Sequence, residues 1–522
     1  MRNYQGSIKE YTERLKEKDP TLTEIIFSDC ENALPSASEL VDLCNALKDN
    51  TMVHTLDLSL LLMRTDFPSP WVYAYENDRD EKIVTSLVDA LKNNTTLKKL
   101  RLSHVDISAR SAKALAETLS QNTTLNELRL TQNRLGDSGA SAIAEGLQKN
   151  ETLHTLILAK NCIDNGGAVS IFSLLREKSS LRKVAISDHY FGDSEFYPYQ
   201  NLPKKDSFSG SIYVSIVKMS LLALDVFTEM LKRNDSIDTV IVRGGEIGDV
   251  AADIFCQVLR NNKRIHTFEL SRNTMTSAGA ILLAKDLENN ATLRYLDLSV
   301  NKIDNAGCEA IAKMLEKNNS LHALKLSYNQ ITSIDCFSEV MRVCGSLHEL
   351  MMDGNKISGI SLFANSLKTN TTLKKLNIAN NDLTYTDARS LALSLRENSA
   401  LQELDIHGDN GLMFSYARSY FFATLEQNNS LIALNLGYPR GSENFRVVNV
   451  ALRINQGLLG TSAGTERQPT RVAAASSSST AATVRFLKIE PEQDIEILFP
   501  THIDLSVNKD DRAIEMKEMK PF

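Results

Sequence analysis

Residues 125–135 read LNELRLTQNRL. Leucine stands at 125, 128, 130 and 135, and asparagine at 133, so the stretch has the form L-x-x-L-x-L-x-x-N-x-L. The L-x-L portion alternates apolar and polar residues, the period of a strand with one buried face. The asparagine falls where such a strand must turn, and its side-chain amide can bond backbone groups there. The same form begins at Leu97, Leu153, Leu181, Ile237, Ile265, Leu293, Leu321, Leu347, Leu373, Leu401 and Leu431. The steps are 28 residues, except for one of 56 after Leu181, two of 26 after Leu321 and one of 30 at the end. The step of 56 is twice 28 and calls for a degenerate copy near Ser209, with Ile212 and Val214 at its strand positions. Weaker copies begin at Leu22 and Val53, which gives about fifteen units. The near-identity of NNTTLKKLRLS (93–103) and TNTTLKKLNIA (369–379) is therefore architectural.

The second half of each unit reads as a helix. In SAGAILLAKDLENN (277–290), Ala280, Leu283 and Leu287 recur at spacings of three and four. A glycine recurs at the helix entrance (139, 167, 279, 307), and asparagine-rich ends suit helix C-termini. Asn133, Asn161, Asn273, Asn301, Asn329, Asn355 and Asn381 occupy the turn position. A single unit cannot bury its apolar face alone, so the units must stack on one another. The expectation is an α/β solenoid, a horseshoe with an inner parallel sheet and outer helices.

The pattern resembles the leucine-rich repeat, and the long 28-residue unit resembles its ribonuclease-inhibitor type, over roughly residues 20 to 440. Residues 11–29 (YTERLKEKDPTLTEIIFSD) and 40–59 (LVDLCNALKDNTMVHTLDLS) are similar to the start of the tropomodulin and leiomodin repeat domain. That resemblance implies an actin-type cytoskeletal partner. The segments that precede the repeats in that family have no counterpart here, and no actin-contacting residue carries over.

The expected divisions are a cap helix within 1–20 (residues 11–18), a solenoid over 21–456, a Ser/Ala/Thr-rich linker over 457–484 and a tail over 485–522. The tail's end, DDRAIEMKEMKPF, resembles secretion signals of effectors that intracellular bacteria inject into host cells. The expected location is thus the cytoplasm, or a host cytosol after translocation. A net charge of −7 argues against nucleic acid as a general partner. No apolar run is long enough to span a bilayer. Seven cysteines without a CxxC pair read as free thiols. No nucleotide, hydrolase or metalloprotease motif is found, so neither catalysis nor a cofactor is expected. His322 and His348 fall in adjacent units and read as an edge pair rather than a metal site.

Function must then lie where the copies differ. The residue between the two strand leucines faces the concave side. Read in order, these are Asp57, Arg101, Arg129, Ile157, Ala185, Tyr213, Ile241, Glu269, Asp297, Lys325, Met351, Asn377, Asp405 and Asn435. A basic section, supported by Lys99 and Lys160, precedes an apolar one at 157–241 and an acidic one at Glu269 and Asp297. This pattern suits a groove for a protein partner. Two insertions, 63–82 with Trp71 and Tyr73 and 189–208 with Tyr197 and Tyr199, leave the chain just after strands. Both should emerge on one rim, where aromatic residues make good anchors. A third irregular stretch, 407–422, adds to the rim or begins a C-terminal cap. The reading is a monomeric, non-enzymatic protein-binding scaffold.

Overall fold

The computed structural model describes residues 7–27, 36–59, 77–103, 105, 107–187, 210–215, 219–408, 420–421, 423–425 and 427–437. The chain divides into two compact units, residues 1–189 with 207–455, and residues 190–206 with 456–522. All described residues belong to the first. The expected linker and tail, and Trp71, Tyr73, Tyr197 and Tyr199 of the two insertions, lie outside the described residues.

Among the described residues, fifteen strands, from Glu24–Ile26 to Ala433–Asn435, form one open parallel sheet in strict chain order. Register follows the leucines: Leu100 faces Leu128, Leu128 faces Leu156, and Leu296 faces Leu324. These side chains are buried against helices such as Ala109–Leu119, Gly136–Leu147 and Ser277–Leu287. The degenerate copy is real: Ser211–Ser215 is a strand, with Ile212 and Val214 inside. The two 26-residue steps are absorbed by the helices. Phe337–Val343 and Ser361–Leu367 have 7 residues where Asn305–Leu315 has 11, and Leu324, Leu350 and Leu376 stay in line.

Two series of buried asparagines tie each unit to the one before. The expected series follows the strands. Asn133 Nδ2 donates to Leu102 O and Leu130 O, both at 2.8 Å, while its Oδ1 accepts from the N–H groups of Val105 and Ile107. The second series ends the helices. Asn290 Nδ2 donates to Leu259 O at 3.0 Å, and its Oδ1 accepts from Thr292 N and Leu293 N. Asn94, Asn150, Asn262, Asn318 and Asn398 repeat this arrangement. The asparagine-rich ends are thus buried cross-links and not merely local helix stops. The sequon at Asn290 is spent on the fold. Asn50 opens the second series, and its Nδ2 has no partner among the described residues.

The recurrent glycines are there for close approach. A Cβ on Gly279 would lie 2.5 Å from Asp249 Oδ1, and one on Gly307 would lie 2.7 Å from Ile303 Cγ2. The residue before each strand-series asparagine is left-handed, as at Gln132 (φ 56°), Arg272 (φ 61°) and Val300 (φ 56°). A β-branched residue is strained there. Val300→Gly is therefore expected to stabilise the protein by about 1 kcal/mol, less the added chain entropy of glycine. A lower urea midpoint for this variant would refute the strain.

The expected cap helix over 11–18 runs instead over Ile8–Lys16, with Ser7 accepting from Glu10 N at 3.2 Å. Its Tyr11 ring meets Phe27 edge-on at 5.2 Å. In the turn that follows, the Thr21 hydroxyl and N–H, with Arg14, hold the Asp19 carboxyl down at about 2. The insertion assigned to 63–82 ends earlier, because the helix Asn77–Asn93 already includes its last residues.

Candidate interaction surface

Each strand presents residues on the sheet face opposite the helices, and parallel register aligns them. Arg101 faces Arg129, Arg129 faces Ile157, Tyr213 faces Ile241, Ile241 faces Glu269, and Glu269 faces Asp297. The residues read from the sequence therefore form one continuous row. Alternation places a second row two positions earlier (Lys99, Glu127, Lys183, Tyr295, Glu349, Lys375, Glu403) and a third two positions later (Arg243, Ser271, Asp353, His407). Of these residues the sequence reading names only Lys99. Counting two residues either way from each middle-row position would have found them.

The neighbouring rows change the electrostatics. The section read as basic is a charge chain. Arg101 Nη1 lies 3.4 Å from Asp57 Oδ2, Arg101 Nε lies 2.9 Å from Glu127 Oε1, and Arg129 Nε lies 2.6 Å from the same oxygen. Burial pushes the Glu127 carboxyl up, but Arg129 and Arg101 outweigh it and hold the group below its ordinary range. Lys183 is pushed down by burial and by Arg129. Lys160 is buried and takes the left-handed turn position. At the other end, Lys375 Nζ sits 3.0 Å from Glu403 and 3.8 Å from Glu349.

The apolar section is buried: Ile157 is 5 % exposed, Tyr213 7 % and Ile241 2 %. Beside it, Arg243 pairs with Glu269, which also accepts from Ser271 Oγ at 2.9 Å. Burial works against the Arg243 charge, and Glu269 more than offsets it, leaving the guanidinium above its ordinary range. Asp297 Oδ1 accepts from Ser299 N at 2.9 Å, and its Oδ2 from Tyr295 Oη at 3.3 Å, with Lys325 Nζ 5.3 Å from the Tyr295 ring centre. Asp405 Oδ1 lies 2.6 Å from His407 Nδ1.

Asp353 behaves oppositely to Glu127. Burial raises its carboxyl, against a Ser327 hydroxyl donating at 2.5 Å, and Asp405 adds to the rise. A carboxyl whose folded pKa is raised binds its proton more tightly when folded, so its ionisation weakens the fold as pH climbs past the unfolded value. Asp353→Asn is expected to raise the thermal midpoint at pH 7 and to lose that advantage at pH 3. Equal effects at both values would show that charge is not the cause.

His322 and His348 do meet, with ring centres 5.1 Å apart and stacked, and their Nδ1–H groups donate to Ser320 O and Ser346 O. Among the described residues no group of three or more His, Cys, Asp or Glu is placed to hold a metal ion. No helix among them is long and apolar enough to cross a membrane.

The family model described as Leucine Rich repeat matches residues 93–116, 121–144, 149–172, 289–312, 317–336 and 369–392. No curated protein matches the chain in sequence. Among solved structures, an internalin from Listeria monocytogenes is similar at 18 % identity and a TM-score of 0.40, over 69 % of this chain and 86 % of that one. The actin-binding site 2 of leiomodin-1 is similar at 20 % identity and a TM-score of 0.23, over 38 % of this chain and 88 % of that one. Six segments matched by that model and strands stacked in one parallel sheet show that the chain carries leucine-rich repeats in a solenoid.

Proposed function

We propose that the chain is a non-enzymatic scaffold that binds a protein partner across the open face of its sheet and along the rim where the insertions leave it. The observation that supports this reading is the charge pattern at the two ends of the face. Side chains such as Arg101, Arg129 and Lys375 are partly exposed yet already held by carboxylates. A surface ordered before binding loses less side-chain entropy when a partner docks. Complementary charge then selects the partner and its register. The buried apolar section supplies the floor between these ends. The rim anchors in this reading are Trp71, Tyr73, Tyr197 and Tyr199.

Tyr213 and Ile241 are almost fully covered, so aspartate at either would bury a charge and is a poor probe. Three baits are better: the intact chain, an Arg101→Ser/Arg129→Ser/Lys375→Ser variant, and a chain shortened within 60–76. Circular dichroism should show all three folded, with a lower melting temperature for the serine variant because Glu127 loses both cations. A protein purified with the intact chain should bind each variant at least tenfold more weakly, about 1.4 kcal/mol. Equal affinities for all three would remove both face and rim from the proposal. The resemblance of residues 11–29 and 40–59 to tropomodulin and leiomodin motivates a second reading, an actin-type partner. Unchanged pyrene-actin elongation at saturating protein would eliminate it.

A further inference from the structure

Away from the open face, two thiols from adjacent units meet. Cys308 lies in the helix Asn305–Leu315, and Cys336 immediately precedes the helix Phe337–Val343. Their Sγ atoms are 3.8 Å apart and unbonded covalently. The two are not equivalent. Cys308 is fully buried, while Cys336 is partly exposed and lines an open depression with Asn305, Glu309, Lys313 and Ser333. Lys313 pairs with Glu309 at 2.9 Å on the wall of this depression.

We propose that Cys308 and Cys336 form a peroxide-sensitive dithiol, in which Cys336 is oxidised from solvent and Cys308 resolves it into a disulfide between neighbouring units. A small oxidant reaches the exposed sulfur first. The Cys336 thiolate attacks hydrogen peroxide and the O–O bond breaks. Cys336 becomes a sulfenic acid, and the departing hydroxide takes up a proton to become water. The Cys308 sulfur then attacks the sulfenic sulfur. The S–S bond forms, the S–O bond breaks, and a second water leaves with the proton from Cys308. Two thiols lose two electrons and one peroxide becomes two waters. Reactivity follows thiolate character and access, and both favour Cys336. Its hydrogen bond with Cys308 holds the Cys336 thiol below its ordinary range, and that bond, with burial, holds Cys308 above. Closure brings the two Sγ atoms from 3.8 Å to the about 2.05 Å of a disulfide bond.

The test is peroxide treatment of the full chain, then non-reducing digestion and mass spectrometry. A peptide pair linked through Cys308 and Cys336 is expected, with two of the seven thiols lost to alkylation. Exposed Cys162 serves as the internal comparison. In Cys308→Ser, dimedone should label Cys336, because the sulfenic acid has no resolving partner. Oxidation of Cys162 with both pair thiols still free would overturn the proposal. So would dimedone on Cys308 in Cys336→Ser at the rate seen for Cys336. The wild-type digest decides the first point even if a variant folds poorly.

Discussion

Asn301→Ala is expected to cost on the order of 4 kcal/mol of stability, because several buried backbone groups lose their partners together. The Asn301 Nδ2 donates to Leu270 O, Leu298 O and Ser299 O at 3.0, 2.9 and 3.2 Å. Its Oδ1 accepts from Asn273 N at 3.1 Å and Met275 N at 2.9 Å. Alanine provides none of these contacts, and water cannot reach the site without opening it. Asn301→Asp keeps the acceptor but removes the donors and buries a charge, so it should fare no better. Asn319 is exposed, and Asn319→Ala is the matching control. Urea unfolding measures the loss, and hydrogen exchange at Asn273 and Met275 locates it. Since each unit touches only its neighbours, exchange should quicken around this boundary before it does elsewhere. A loss under about 1 kcal/mol would mean that the asparagine bonds are replaceable.

Arg243→Met should cost about 3 to 5 kcal/mol, because it leaves Glu269 buried without its cation. The Glu269 side chain is only 6 % exposed, and Ser271 alone cannot neutralise it. Glu269→Met should be similarly harmful for the converse reason. The double variant is expected to be neutral or stabilising relative to the natural protein, since a buried pair replaced by apolar residues of like volume removes both desolvation penalties. The measurement is a double-mutant cycle by urea unfolding. Losses that simply add would show that the two charges act independently. A stable double variant would also isolate the charge pair's part in partner binding from its part in folding.

The fold was legible because its cause is local and repeated. Leu125, Leu128 and Leu130 recur with a stride of 28 or nearly so, and the helices absorb the difference where the stride shortens. Even Ser211–Ser215 followed from arithmetic on the gap. The surface was legible only in part. The middle row was found, but whether Arg129 is a free cation depends on Glu127 two residues earlier and Arg101 one strand away. Whether Ile241 is an exposed anchor depends on what packs over it, and that belongs to no single repeat. The second asparagine series was hidden for a similar reason. Asn290 looks like a helix stop in its own unit, and only the preceding unit shows that its amide reaches Leu259 O.

Between residues 165 and 233 the two layers of the solenoid fall out of step. The helix Asn165–Glu177 packs directly on the helix Leu221–Arg233, and Phe172 meets Phe227 with ring centres 4.8 Å apart. Asn234 reaches back 59 residues to Leu175 O instead of the usual 31. The sheet, however, inserts Ser211–Ser215 between its neighbours without a break. Strands sit about 4.8 Å apart. Packed helices sit about 8 to 10 Å apart. One helix per strand therefore forces the row to bend toward its strands. Two strands per helix remove the mismatch, since two strand spacings nearly equal one helix spacing. Where Asn165–Glu177 packs on Leu221–Arg233, the spacings of the two layers agree. The strand Ser211–Ser215 is thus gained by the sheet within a single helix-to-helix contact, and Tyr213 stands on it.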